Sequence, residues 1–383
     1  MSALRAVVVR PGRAAYGEVR RTQTWIRLFR AAGGDASDLG FLSGRTLGVD
    51  PRDAARLASG TLVPESAIWN GREIRRRLEE LEPDVVIMQT ARSYRPEIVD
   101  GPWVPILDLV DRLSLSYRQR ASLATSRPKR VLLDRLATAH GRFEQQARDL
   151  VDNVVAAGWG DSAALGSTWI PNLLDPAQRP TRERRKPYDA VFFGSLGYAP
   201  NVEALRWLAE GRPAADADLR VLVAGHAPTD EVRSLCEARG WGLVEDYPSN
   251  DWLVDQATIS LAPLRSTAGI QNKVLEAAVL GLPQVATPPA LAGLADGFPA
   301  LVAETPQEFV AQARRLVDDQ ATRARLADDA WSYAHQHYTS DAWLPVLWEL
   351  LHPSEDTAPV WSRLPFGAER APIHHMPTGE ADR

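Results

Sequence analysis

Short, mostly apolar runs rich in β-branched residues alternate along this chain with longer segments of helical periodicity, and that alternation constrains the fold more than any other feature. The runs cover residues 6–9, 84–88, 105–109 and 153–156 in the first half, and 190–193, 219–223, 259–262 and 283–286 in the second. Strands apolar on both sides suit a parallel sheet covered by helices on both faces. Between them, residues 20–29, 71–81 and 129–151 place apolar side chains at helical spacing with Arg and Glu opposite. A doubly wound α/β fold is the expectation.

At 383 residues the chain exceeds one ordinary core and suits two domains. The stretch 175–188 is punctuated by proline and dense in charge, so it reads as a linker. The division follows: residues 1–175 form one Rossmann-like domain, residues 176–351 a second with terminal helices, and residues 352–383 a loosely held tail. Residues 307–351 are helical throughout and end rich in rings, with Trp331, Tyr333, Tyr338, Trp343 and Trp348 expected at a core or interdomain surface.

A hydrophobic content of 45% with 12 Trp excludes global disorder. The net charge of -5 gives no general pull toward nucleic acid or anionic lipid, so any such partner must come from a local patch. A single cysteine, Cys236, excludes a disulfide framework and a multi-thiolate metal site, and a cytoplasmic setting is expected. No stretch approaches the roughly 20 apolar residues of a spanning helix, so membrane contact would be peripheral, at the inner face.

The informative segment runs from Ala262 to Thr287: strand, small-residue loop through Gly269, then a helix from about Ile270 to Leu280 stopping at Gly281. Such a turn presents free backbone N–H groups and the positive end of a helix dipole at the carboxyl edge of the sheet, which attracts phosphate. Lys273 falls in the first turn, where the dipole disfavours a cation by roughly 0.3–1 kcal/mol unless an anion lies nearby. Arg265 would close on the same anion with a planar fork. Glu276, one turn beyond Lys273, suits the hydroxyls of a ribose, with hydrogen bonds worth roughly 1.5–3 kcal/mol each. The plainer alternative makes Lys273 and Glu276 a surface ion pair.

The run Gly269-Ile270-Gln271-Asn272-Lys273-Val274-Leu275-Glu276, followed by Gly281-Leu282-Pro283, resembles the donor-site signature of glycosyltransferase family four, retaining enzymes of the GT-B fold. Residues 191–205, 169–175 and 221–225 are similar to that family's first donor-domain strand and glycine turn, its interdomain segment and its second strand. The resemblance implies two facing Rossmann-like domains. It places a nucleoside-diphosphate sugar beside Gly194, Ser195, Asn201 and residues 269–273, with Glu276 on the ribose. It further implies sugar transfer to an acceptor hydroxyl with retention and without metal. No cofactor beyond the donor is expected, and the acceptor is a glycan, a lipid-linked molecule or a small molecule. Ala268 stands where many members carry a first Glu, and the family's basic pair after the first strand is absent, which shifts phosphate charge onto Lys273 and Arg265.

In the first half, residues 16–21 occupy the turn where family members receive the acceptor and touch donor phosphates. Asp108, Asp111 and Ser114 lie at the end of a buried strand and resemble a segment that approaches the acceptor; a helix cap with a solvated Asp is the alternative. Asp216 and Asp218 match a metal-binding Asp-x-Asp but read as loop solvation, and His335, His337, His374 and His375 lack a converging third ligand. Two further readings remain: a catalytically degenerate homologue that binds nucleotide sugar or a partner, and a sugar-nucleotide epimerase sharing the fold.

Overall fold

The computed structural model describes residues 3–11, 16–40, 50–122, 124, 126–174, 186–211, 219–265 and 269–352. The linker from Asp175 to Arg185, Asp216, Asp218, Ala268 and residues 353–383, with His374 and His375, lie outside them.

Two six-stranded, wholly parallel sheets organise the molecule. The first contains β1 (Arg5–Arg10), β2 (Asp35–Gly40), β3 (Val85–Gln89), β4 (Val104–Val110), β5 (Asn153–Ala156) and β6 (Thr168–Trp169), in the order β2-β1-β3-β4-β5-β6. The second contains β7 (Tyr188–Ser195), β8 (Val221–His226), β9 (Gly242–Glu245), β10 (Ala257–Ala262), β11 (Gln284–Ala286) and β12 (Leu301–Val302), in the order β12-β11-β10-β7-β8-β9. The expected α/β architecture is observed. In each sheet the order reverses once, between β1 and β3 and between β7 and β10, and the crevice beyond the carboxyl ends at that reversal is where such sheets bind ligands.

The inner strands are dry on both faces: Val7, Val8 and Val9 of β1, Val85 to Met88 of β3, and Val191 to Phe193 of β7 are all buried. The helices that cover them follow local chemistry. Asn70 caps the Gly71–Leu81 helix by accepting the Glu73 N–H, and Ile74 and Leu78 turn inward while Arg75 and Arg76 pair with Glu79 and Glu73 outside.

One apolar cluster spans both sheets. Trp25, Leu28 and Phe29 of the Tyr16–Ala31 helix share it with Trp169, Tyr338, Trp343 and Leu347. The Trp343 and Tyr338 rings meet Trp169 edge-on at 4.9 and 6.3 Å, and each such pair adds about 0.5–1.5 kcal/mol beyond its burial. The last helix, Ser340–Leu351, thereby packs on the Tyr16–Ala31 helix of the first sheet and closes the chain on itself. Of the rings expected in the core, Trp348 stays 36% exposed and Trp331 stacks on His335 instead.

Two residues at the carboxyl edge of the first sheet adopt left-handed backbone: Thr90 (φ 72°), just past β3, and Val110 (φ 64°), the last residue of β4. Neither type favours this region, and such conformations cost about 1–3 kcal/mol each. Asp108 holds both. Its carbonyl accepts the Thr90 N–H at 2.6 Å and its carboxylate accepts the Val110 N–H at 3.0 Å.

Candidate functional site

The loop after β10 and the helix Asn272–Val279 place the candidate donor residues at the β7–β10 reversal. The helix starts two residues later than the sequence suggests. Gln271 sits at its N-cap in extended conformation, and its side chain makes no capping hydrogen bond.

Lys273 is the centre of the arrangement. Its Nζ donates to Asn201 Oδ1 at 2.7 Å and lies 4.1 Å from the centroid of the Phe192 ring. Asn201, 5% exposed, is fixed in turn by donating from Nδ2 to the Ser195 carbonyl at 2.7 Å. Gly194 has φ 138°, which excludes a side chain, and a Cβ there would stand 3.4 Å from the lysine nitrogen. Three sequence-selected residues thus stand around Lys273: Asn201 accepts from its ammonium, the Ser195 carbonyl fixes Asn201, and Gly194 lies alongside. Burial pushes that ammonium down to about 7, with the nearby Glu276 charge opposing. A cation kept so poorly solvated gains most from an anion.

Glu276 is buried, and both oxygens are engaged. Oε1 meets Arg20 of the Tyr16–Ala31 helix at 2.5 Å, and Oε2 accepts from Asn250 Nδ2 at 3.1 Å. The surface-pair alternative fails, because Lys273 turns to Asn201 while Glu276 turns across the cleft to the first sheet's helix. Asn272 also bridges, accepting from Asn172 Nδ2 at 2.8 Å. Ile270 is buried beneath the loop and Gln271 lies beside it, partly exposed.

Gly269 is gripped from the first sheet's side. Its N–H donates to Asp161 Oδ2 at 3.2 Å, and a Cβ built on it would touch the Asp111 Cβ at 3.1 Å. The positive φ of 67° and this closeness together require glycine. Gly158, at the turn after β5, approaches so closely that a Cβ there would stand 3.1 Å from the Gly269 Cα. Asp161 is 9% exposed; burial pushes its carboxyl up, against the N–H groups of Arg112 and Gly269 that favour its charge. The amide assigned to phosphate is therefore held by a carboxylate of the opposite sheet.

Two sequence assignments need correction. Arg265 does not join Lys273; its guanidinium lies over the Trp207 ring at 5.7 Å, drawn there by the face of an aromatic on the Ala199–Glu210 helix. Asp108 does not face an acceptor. It is fully buried and accepts from Arg21 Nε (2.6 Å), Arg21 Nη2 (3.1 Å) and Trp25 Nε1 (2.6 Å) besides the Val110 amide. Arg21 then donates to the Ile170 and Pro171 carbonyls, so the pair anchors the first helix to the interdomain segment. Asp111 does reach the cleft, whereas Ser114 is buried and donates from N and Oγ to Glu144.

Sequence reasoning missed Asp161 and Asn250. A carboxylate in the first turn of the Trp159–Leu165 helix, directly after β5, was the available signal for Asp161, because it marks a carboxyl-edge turn. Asn250 carries no comparable pattern.

Residues 187–319 match the family described as glycosyl transferases group 1. No curated protein matches the chain in sequence. Among solved structures, HepE of Anabaena in complex with UDP-glucose aligns with a TM-score of 0.62 at 13% identity, over 91% of this chain and 99% of that one. WaaG, a glycosyltransferase involved in lipopolysaccharide biosynthesis, aligns at 0.55 and 15% identity over 92% and 100%. TarM, from S. aureus, aligns at 0.56 and 11% identity over 74% of this chain; the present chain spans only 59% of it. The molecule has the GT-B fold of these glycosyltransferases, and its second sheet lies in the stretch that matches the group 1 family.

Proposed function

We propose that the chain is a glycosyltransferase of family four, moving a sugar from a nucleoside-diphosphate donor to an acceptor hydroxyl with retention and without metal. One observation carries the reading: a poorly solvated lysine, Lys273, stands at the sheet reversal beside Gly194, where a Cβ would come within 3.4 Å of its ammonium. The group 1 match over residues 187–319 and the UDP-glucose bound by HepE support it.

In this reading the diphosphate lies between Lys273 and the first turn of the Asn272–Val279 helix, and the ribose hydroxyls take Glu276. The bond from the sugar carbon to the β-phosphate oxygen breaks, and that oxygen gains negative charge. Lys273 and the loop amides stabilise it electrostatically. The acceptor oxygen attacks the same face of the sugar from the side of Asp111, and its proton passes to the departing phosphate.

Replacing Lys273 by Ala should lower turnover roughly 100- to 1,000-fold with circular dichroism and melting temperature retained. Product stereochemistry by NMR, in buffer treated with chelator, tests retention and metal independence together. Near-normal turnover by the variant would remove the lysine from the mechanism, and an inverted product would remove the family assignment.

A further inference from the structure

Two aromatics stand exposed among the described residues, Trp348 at 36% and Tyr198 at 55%. Trp348 stacks on His352. Tyr198 has no ring contact and its hydroxyl makes no hydrogen bond among the described residues. It lies just past the carboxyl end of β7, between Ser195 and Asn201, the two residues that fix Lys273. The turn beneath it is tight. Leu196 is fully buried and donates its N–H to the His226 carbonyl at 2.9 Å. A Cβ on Gly197 would come within 2.8 Å of the Ala227 carbonyl oxygen, so the turn is pressed onto the loop after β8. Tyr198 closes it, donating its N–H to the Ser195 carbonyl at 3.3 Å and accepting from the Asn201 and Val202 N–H groups at 2.9 and 3.1 Å. Its backbone opens the Ala199–Glu210 helix while its side chain caps nothing. An apolar ring is thus displayed on a fixed base with no packing role in the fold.

Groups of the first sheet act on that ring across the cleft. Crowding around the Tyr198 hydroxyl and the Asp111 charge push its titration up, and the Arg120 charge opposes them. Both charged groups are held. Asp111 lies against the Gly269 loop, and Arg120 rests over the Tyr117 ring at 5.3 Å, itself fixed by donating its hydroxyl to Glu65 at 2.7 Å. A flat ring, a carboxylate and a guanidinium therefore border one part of the cleft. A pyranose carries the complementary surfaces: a C–H face whose positive hydrogens suit the negative face of an aromatic ring, and a rim of hydroxyls that donate to a carboxylate and accept from a guanidinium. An aliphatic chain in the same place would bury both charges without partners.

We propose that the Tyr198 ring is the platform on which a pyranose of the acceptor stacks, with Asp111 and Arg120 holding its hydroxyls. Ring face, and not charge alone, then selects the acceptor: cyclic sugars with an open C–H face bind ahead of acyclic alcohols. Because Tyr198 shares its turn with Ser195 and Asn201, the stacked sugar stands beside the ammonium of Lys273. That this sugar is the acceptor rests on the transferase reading; that a pyranose binds here does not.

The test is saturation-transfer NMR on the full chain without donor, using the methyl α-D-pyranosides of glucose, galactose and mannose, and sorbitol as an acyclic polyol. At least one pyranoside should receive saturation at its ring C–H protons, and sorbitol should bind at least about tenfold more weakly, the aromatic face being lost to it. Tyr198→Ala should weaken the pyranoside about tenfold, whereas Tyr198→Phe should keep it, because the ring face and not the hydroxyl carries the contact. Asp111→Asn should weaken it about tenfold or more through its hydroxyl bonds. The Tyr198 side chain is exposed and caps nothing, so its variants should melt as the parent does. Failure of all three pyranosides, equal binding of sorbitol, or unchanged binding by Tyr198→Ala overturns the proposal. So does a Tyr198→Ala variant that loses affinity for UDP and not for the sugar, which would give the ring to the donor. Calorimetry with UDP on the same samples separates the two readings: UDP bound without any pyranoside removes the platform alone, and pyranoside bound without UDP removes the transferase reading alone.

Discussion

Lys273 was legible in the sequence because two opposed preferences meet at it: a cation in a helix first turn and a neighbouring glycine loop. Its partner Asn201 could not be derived from spacing, being 72 residues away, and entered through the family resemblance. Arg265 was misassigned for a related reason. The sequence shows a cation in the right loop but not the Trp207 face that holds it. The poorly solvated lysine makes a pH prediction. Burial holds its ammonium down to about 7 in the free protein, and a bound diphosphate would raise that value. Below the free value the site is already charged and affinity is flat. Between the free and bound values, binding takes up a proton, and affinity falls by up to about tenfold per pH unit as pH rises. Calorimetry with free nucleoside diphosphate across pH 7–9, in buffers of differing ionisation heat, should show this uptake, and Lys273→Met should abolish it. Affinity that stays constant over that range would mean the anion does not meet this ammonium.

At the scale of elements, the inner strands were readable and the edges were not. β2, β6, β9 and β12, the four strands absent from the sequence reading, are the four sheet edges. An edge strand packs against one neighbour, so it needs no continuous apolar run: β2 reads Asp-Ala-Ser-Asp-Leu-Gly, and β6 and β12 have two residues each. The end of β4 shows a second limit. An aspartate closing a buried strand reads equally as a ligand contact or as an anchor, and only the positions of Arg21 and Trp25, more than 80 residues distant, decide for the anchor. The consequence is measurable. Asp108→Ala leaves the fully buried Arg21 guanidinium without its counter-charge and releases the left-handed Val110 turn. Urea denaturation should show a loss of roughly 3–5 kcal/mol, a magnitude typical of breaking one side of a buried pair. A stable variant with only a raised acceptor KM would return Asp108 to the acceptor site.

At the scale of the whole molecule, the two sheets face each other with the cleft drawn shut at three points: Arg20 on Glu276, Asn172 on Asn272 and Asp161 on the Gly269 amide. These contacts join residues 100 or more apart, so no local pattern announces them. Two of them occupy groups that the proposed reading assigns to the donor. In the closed arrangement Asp161 stands where a phosphate oxygen would accept the Gly269 N–H, and it brings negative charge to the place where phosphate charge must come. On the proposed reading, donor entry requires the sheets to part locally, and the free energy of that parting subtracts from donor affinity. Removing the carboxylate should remove part of the cost. A hydrogen bond to a charged group contributes about 1.5–3 kcal/mol, so Asp161→Ala should tighten free nucleoside diphosphate binding by about tenfold or more. X-ray scattering should at the same time show an increased radius of gyration in the unliganded variant. Should affinity fall instead, Asp161 must hold the Gly269 loop in its binding conformation, and the closed cleft would be the competent state and not an obstacle.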